Sequence, residues 1–371
     1  MNIEAIDIYP LSIPFRQPIK VAIGIKTAAH NVIIKIVTET GIVGWGEASP
    51  SPYITGDTQE SSIVLARQLA SLIIGKNALA LVERQRELDL FIAGHPSIRS
   101  AFDMALYDIA AKAANLPLYL FLGGDYRTIR TDITIGLQDS VAATVKQAEE
   151  IVKAGFHSIK LKTGRSGNDD VFHVSAVRES VGSDIAIKID SNQGWDLPTA
   201  LANIQAMSSL NLQYSEQPLP HWDHHNLARL RNLVELPICA DESVFSDKDA
   251  LTLIRLEAAD YLNIKLGKSG GIGTALKINA IAEAGGCRCM IGCFGESRLG
   301  LSAAAHVAVA RTNIVFIDLD SAMFFKSDPV VGGLQYDNDI GGLIHLPDSP
   351  GHGAEIREDL LIASQQRIHI D

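Results

Sequence analysis

No uninterrupted apolar run in this sequence approaches the roughly 20 residues that a membrane-spanning helix needs, so a membrane is not an expected partner. Nor is there a lysine- or arginine-rich block. The 43 acidic residues outnumber the 32 basic ones and leave a formal charge of −11. The positive surface through which proteins hold polyanions is missing, and nucleic acid is excluded on the same ground. The opening Met-Asn-Ile-Glu-Ala-Ile-Asp-Ile-Tyr has no basic segment followed by an apolar stretch, so no secretory signal is expected and the reading is a cytoplasmic protein. Cysteine is scarce: Cys239, Cys287, Cys289 and Cys293 are the four. They lack the paired spacing or histidine partners of a zinc site, and the alternation in Cys-Arg-Cys-Met-Ile-Gly-Cys fits buried structural thiols on a strand.

What is present is length and a repeating texture. The 371 residues suit a barrel of roughly 250 residues with a smaller domain attached. Residues 1–125 read as α+β. An opening strand ends near Leu11, a second spans Asn31 to Thr38, and three amphipathic helices follow, the clearest carrying Ile98, Ala101, Phe102, Ala105, Leu106 and Ile109 on one face. Residues 126–322 alternate short β-branched runs with helical segments, the mark of βαβ units. Strands are expected near 131–136, 157–163, 185–190, 212–216, 237–241, 261–266, 288–293 and 314–319. Eight such units predict an α/β fold, a TIM-type (β/α)8 barrel with its strand C-termini on one side. Residues 323–371 return to Gly, Pro and Asp turns and are expected to fold back onto the first domain.

Charge collects at the strand ends. Asp190, Glu216 and Asp241 each close an apolar run, at the pitch of one βα unit of about 25 residues. Three converging carboxylates need a cation to stay ionised together. An all-oxygen set without histidine or cysteine favours a hard ion, Mg²⁺ first and Mn²⁺ second. Lys160 and Lys162 stand one unit earlier, and Lys265 one unit later. Residues i and i+2 share a strand face, so both early lysines project into the mouth while Lys265 approaches from across it. A neighbouring cation depresses a lysine toward the working range of a base. Two opposed lysines then fit removal of a proton from one face of a carbon and its return on the other, a 1,1-proton transfer.

The ordered set Lys-x-Lys, Asp-x-Asn, Glu-Gln-Pro, Ala-Asp-Glu-Ser and Asn-Ile-Lys resembles the enolase superfamily, in its muconate-lactonizing subgroup, over nearly the whole chain. The resemblance implies a cap made by the front domain, a Mg²⁺ held by Asp190, Glu216 and Asp241, and acid/base work by Lys162 and Lys265 with Lys160 beside them. Asp318 and Asp320, in Val-Phe-Ile-Asp-Leu-Asp-Ser, look like the paired aspartates of dipeptide epimerases, which hold the substrate's ammonium. Glu296 matches a family position after the seventh strand, and Asn192 and Gln217 are expected to orient the ligands. Where relatives acting on Ala-Glu carry a cap-loop arginine, this chain has Gly24. Lys26 is a candidate substitute in a different register, and Ile23, Ile25, Ile54 and Phe294 predict an apolar pocket, hence a hydrophobic or small second residue.

Other signals are set aside. Gly-Lys-Ser at 267–269 lacks the upstream glycine of a phosphate loop, and Lys268 is read as structural. The histidines of 221–225 read as a solvated loop and His306 as a packed or capping histidine. Three alternatives of the same subgroup share the metal and lysines: o-succinylbenzoate synthase, N-succinylamino acid racemase and muconate cycloisomerase. None of their substrates offers an ammonium to Asp318 and Asp320. A non-catalytic barrel that only binds metal and ligand is the rival of another class. Whether copies assemble as a homo-oligomer is open from sequence.

Overall fold

A computed structural model of the chain describes residues 1–165, 167–363 and 367–371. Strands β1 (Ile3–Val21), β2 (Gly24–Thr38) and β3 (Val43–Ala48) form an antiparallel sheet. The strand Ile368–Ile370 joins its β1 edge, so the chain's end does return to its beginning. Ile6 faces Ile36, and Ile8 faces Ile34. These buried isoleucines pack on helices Gln59–Ile73 and Pro96–Ala113, the latter burying the periodic face seen in its sequence. Gly46 lets that helix approach β3, because a Cβ there would collide with the Ala101 carbonyl.

One element departs from expectation. Residues 12–30 were expected to form loops, yet β1 and β2 continue as a hairpin from Leu11↔Asn31 to Val21↔Gly24, interrupted between Pro14 and Ile19. Prolines 10, 14 and 18 lie in this stretch, and the C-terminal strand pairs only with Ile6–Ile8. Beyond Ile8 β1 is therefore an edge strand, where proline is tolerated. The hairpin leans on the barrel: Leu137 N donates to Lys20 O at 2.9 Å, and Lys20 pairs with Asp139 at 2.8 Å.

A short strand β4 (Ile129–Arg130) precedes the barrel strands β5 (Ile133–Ile135), β6 (Ser158–Lys162), β7 (Ala186–Asp190), β8 (Leu212–Glu216), β9 (Ile238–Ala240), β10 (Tyr261–Ile264), β11 (Arg288–Ile291) and β12 (Ile314–Ile317). They form one parallel sheet in chain order, with helices over their apolar outer faces. The β5/β12 seam is closed by Asp132 N to Ile317 O at 3.2 Å, Leu319 N to Thr131 Oγ1 at 2.8 Å and Thr134 N to Asp320 Oδ2 at 2.7 Å. Several strands are shorter than predicted. Asp241, Lys265 and Asp318 stand one residue beyond β9, β10 and β12, because the backbone leaves the ladder there to enter mouth loops. Among the described residues no helix is long and apolar enough to cross a membrane.

Candidate active site

Register builds the site. Lys162 is the ladder partner of Asp190, and Asp190 of Glu216, so three inward side chains form a row across β6, β7 and β8. Asp190, Glu216 and Asp241 are fully buried, and Lys160 and Lys265 are nearly so. Lys162 Nζ lies 2.5 Å from Asp190 Oδ2, while Lys265 Nζ lies 2.7 Å from Asp241 Oδ2. Lys160 Nζ reaches Asp318 at 2.7 Å, Glu216 at 2.9 Å and Asp190 at 3.1 Å. β6 and β10 are separated by three strands of an eight-stranded barrel, which puts Lys162 and Lys265 on opposing walls of a cavity of about 350 Å³.

These contacts set the protonation states. Burial pulls the Lys160 and Lys265 ammonium groups down, but their acids outweigh it: Asp318, Glu216 and Asp190 hold Lys160 well above the ordinary lysine range, and Asp241 does so for Lys265. Burial pushes the carboxyls up, yet Lys162 and Lys160 bring Asp190 below its usual range, and Lys265 and Lys268 do the same for Asp241. Glu216 ends raised, by burial and then by Asp190. For Lys160 and Lys265, carboxylates at contact distance outweigh any depression by neighbouring amines.

The donor set suits a hard divalent cation. It is all oxygen, and Asn192 Oδ1 and Glu242 Oε2 are buried acceptors with no hydrogen-bond donor, while Glu216 Oε2 has the Lys160 ammonium beside it at 2.9 Å. Among the described residues, however, the acidic and thiol ligand atoms that all come within 4.8 Å of one another belong to Cys293, Asp318 and Asp320. The strand-end trio stands further apart, with lysine ammonium groups between its members.

Backbone strain marks the same loops. Asn192, Gln193 and Gln217 have φ of 41°, 68° and 33°, a conformation costing about 1–3 kcal/mol each that persists where the surroundings enforce it. Asn192 N donates to Asp190 Oδ1 at 2.9 Å, and its side chain donates to Glu242. Gln217 Oε1 accepts from Asp241 N at 2.8 Å and from Ser243 N at 3.1 Å. Both residues thus touch an acid or its loop.

Lys268 was read as structural. It is fully buried, donates to the Asp241 carbonyl, and lies 2.7 Å from Asp241 Oδ1. Glu242 was not singled out by sequence. Burial, with Asp241 and Asp190 nearby, pushes it up to about 8. Its position beside Asp241 in Ala-Asp-Glu-Ser was the available signal.

At the far wall Asp318 and Asp320 face Cys293, whose Sγ lies 3.9 Å from Asp320 Oδ1. Burial raises Asp318 but Lys160 more than reverses it, whereas burial and then Asp318 push Asp320 up to about 7. Cys293 therefore belongs to the site wall, while Cys239, Cys287 and Cys289 are buried away from solvent. Glu296 accepts from Phe294 N at 2.6 Å and is pushed up to about 7 by burial.

The specificity residues are partly rearranged. Ile23, Ile54 and Phe294 line the cavity, with the Phe294 ring centroid 4.9 Å from Lys265 Nζ. Gly24 does not line it and lies under Tyr53, where any Cβ would sit 3.1 Å from the ring. Ile25 is 60% exposed and turned outward. Lys26 lines the cavity instead, with no ion pair among the described residues. Burial, then Lys265 and Lys162, push its amine down to about 8. Lys26 therefore adds an amine beside the apolar Ile23, Ile54 and Phe294 on the cavity wall. His221 bonds Gln193 at the mouth, and His306 packs on Tyr119, accepting from its backbone N–H at 3.0 Å.

Residues 143–360 match the enolase C-terminal domain-like family, and residues 5–123 match the mandelate racemase / muconate lactonizing enzyme N-terminal domain. A D-Ala-D/L-Ala epimerase of Cytophaga hutchinsonii is 39% identical, covering 97% of this chain and 98% of that protein. A hydrophobic dipeptide epimerase of Enterococcus faecalis is 37% identical over 95% of this chain and 99% of that protein. The crystal structure of the dipeptide epimerase from Cytophaga hutchinsonii with Mg and D-Ala-L-Val superimposes with a TM-score of 0.97 at 38% identity, covering all of both chains. The barrel, its acid and lysine rows and these likenesses agree: the chain belongs to the mandelate racemase / muconate lactonizing enzyme family of the enolase superfamily.

Proposed function

We propose that this protein is a Mg²⁺-dependent dipeptide epimerase, an isomerase that inverts the α-carbon of the C-terminal residue by 1,1-proton transfer. The observation that carries the reading is the placement of Lys162 and Lys265 on opposite walls of one cavity, each bonded to a different strand-end acid. The relatives named for dipeptide epimerisation, one of them seen with Mg and a dipeptide, support the reaction and the metal.

In this reading Asp190, Glu216 and Asp241 would hold a divalent cation, which would supply positive charge to a substrate carboxylate. Asp318 and Asp320 accept hydrogen bonds from the dipeptide's ammonium, which sets the α-carbon between the two lysines. Where the cation rather than a lysine would neutralise Asp190 and Asp241, the amine on one wall is free to lose its proton and take the α-proton, and the ammonium on the other wall returns one to the opposite face. The C–H bond electrons rest in the conjugated carboxylate between the two transfers. Lys160 adds charge beside that carboxylate. Asn192 and Gln217 orient the acids, and Glu296 supports the Phe294 wall. Residues 1–125 with 323–371 act as the cap over barrel residues 126–322, and Ile23, Ile54 and Phe294 favour apolar or small second residues. The four unpaired cysteines suit the reducing cytoplasm.

The succinylated and lactone substrates of the sister reactions would bring no cation to Asp318 and Asp320. A purely binding role leaves Lys162 and Lys265 without work. The test is incubation of L,L-dipeptides with protein and Mg²⁺ in D₂O. Deuterium at the C-terminal α-carbon together with the second diastereomer is expected. No uptake across a broad panel of side chains would overturn the reading.

A further inference from the structure

One layer below the mouth the barrel holds an ion pair that the reaction does not use. Lys188 is the ladder partner of Lys160, so two amines of the same reach stand side by side on β6 and β7 and point inward together. Lys188 is 2% exposed, and its Nζ lies 2.5 Å from Asp132, which is 1% exposed. The amine also sits 5.5 Å from the Tyr214 ring centroid and 5.4 Å from that of Phe316, two rings that pack against each other and on Tyr261. Aromatic faces hold a cation without supplying a counter-charge. Asp132 is therefore its anion.

Asp132 stands at the β5/β12 seam, with its N–H on the Ile317 carbonyl one residue before Asp318. Its carboxylate oxygens have no hydrogen-bond donor, the Lys188 contact being close but not aligned as a hydrogen bond. The groups that act on it are burial first, then Asp318, Lys188, Asp320 and Lys160. Lys188 and Lys160 thus stand side by side among several acids, and the division among them matters. Lys160 must spend its contacts on Asp318, Glu216 and Asp190 to present its charge at the mouth. An Asp132 without its own cation would compete for that amine from below.

We propose that the Asp132–Lys188 pair positions Lys160: Lys188 occupies the deep acid so that Lys160 is held toward the mouth, beside the substrate carboxylate. The role rests on the epimerase reading for its kinetic consequence but not for its structural one. It predicts a specific pattern. In Lys188→Met the amine of Lys160 is drawn to Asp132, and in Asp132→Asn the freed Lys188 competes with Lys160 for Asp318. The double variant removes both charges and restores the division.

The experiment compares Lys188→Met, Asp132→Asn and the double variant by deuterium exchange of a dipeptide α-proton with Mg²⁺, and by crystal structures of each. Each single variant is expected to lose roughly 100-fold in kcat, the scale of a misplaced charge at a reacting centre. The double variant should recover most of it, a coupling that simple loss of packing does not produce. Should Lys188→Met fail to fold, Asp132→Asn against the double variant makes the same comparison. A double variant as impaired as the worse single one, or Lys160 still within salt-bridge reach of Glu216 and Asp318 in the single variants, would overturn the proposal. If the wild-type protein exchanges no dipeptide proton, the epimerase reading fails, and the position of Lys160 in the crystals still decides this one.

Discussion

Lys160, Lys162 and Lys265 each neutralise a carboxylate that is also a candidate metal ligand, so charge at the mouth is divided among few atoms and single substitutions should have distinct signatures. Asp318→Asn or Asp320→Asn removes half of the proposed ammonium acceptor. A charge-assisted hydrogen bond is worth about 1.5–3 kcal/mol, so KM for dipeptides should rise by roughly 10- to 100-fold. An unchanged KM would remove these aspartates from substrate binding. Lys26 gives a second prediction. Its unpaired amine, with Lys162 and Lys265 nearby, should repel dipeptides ending in lysine or arginine, and Lys26→Met should raise kcat/KM for those substrates relative to apolar ones. Competition assays with mixed dipeptides read that ratio directly. The charged residues themselves were legible in sequence, since a carboxylate at the end of an apolar strand has few reasons to be there. Glu242 was not, because it stood next to a residue with a clearer role. Lys26 was named only as a substitute in a different register, and its place on the cavity wall depends on the phase of a hairpin hidden among prolines.

At the scale of elements, the barrel strands were found because a strand covered on both faces must be apolar nearly throughout. Their last one or two residues were misjudged because loop hydrogen bonds, which leave no mark on composition, decide where a ladder stops. The cap is tied to the barrel by a contact that sequence could not disclose. Glu47 on β3 is fully buried and accepts from Ser297 N, Ser297 Oγ and Gly300 N at the start of helix Arg298–Ala310, and from Asn31 Nδ2 on β2. Glu47→Gln places an amide N–H where only donors converge. It should lower stability by about 1–3 kcal/mol in thermal or urea unfolding. Further along the same helix, His306 must stay neutral to accept from Tyr119 N. Burial pushes its pKa from 6.5 down to about 3. Between these values the unfolded chain binds a proton that the folded chain refuses, so stability falls as pH falls, by about 1.4 kcal/mol per unit for one such group. His306→Asn, whose side-chain oxygen can take the Nδ1 position, should flatten that acid-side slope in melts between pH 7 and 5. An unaltered slope would assign the acid sensitivity to other groups.

For the whole molecule, the account requires a cap strand, a hairpin tip and the barrel mouth to enclose a cavity built around three acids. A divalent cation that binds only the folded arrangement must stabilise it, with Tm rising as Mg²⁺ is added and falling with a chelator. Absence of any Mg²⁺-dependent shift, together with full exchange activity in chelator, would contradict the assignment of Asp190, Glu216 and Asp241. The central claim is narrower still: amines on opposite walls reach one carbon from its two faces. It is tested most directly by following α-deuteration by NMR with each diastereomer of one dipeptide, in Lys162→Ala and in Lys265→Ala. Each variant should exchange a single diastereomer, the two variants should choose opposite ones, and neither should interconvert them. Exchange of both diastereomers by either variant at the wild-type rate, or the same choice by both, would contradict the account.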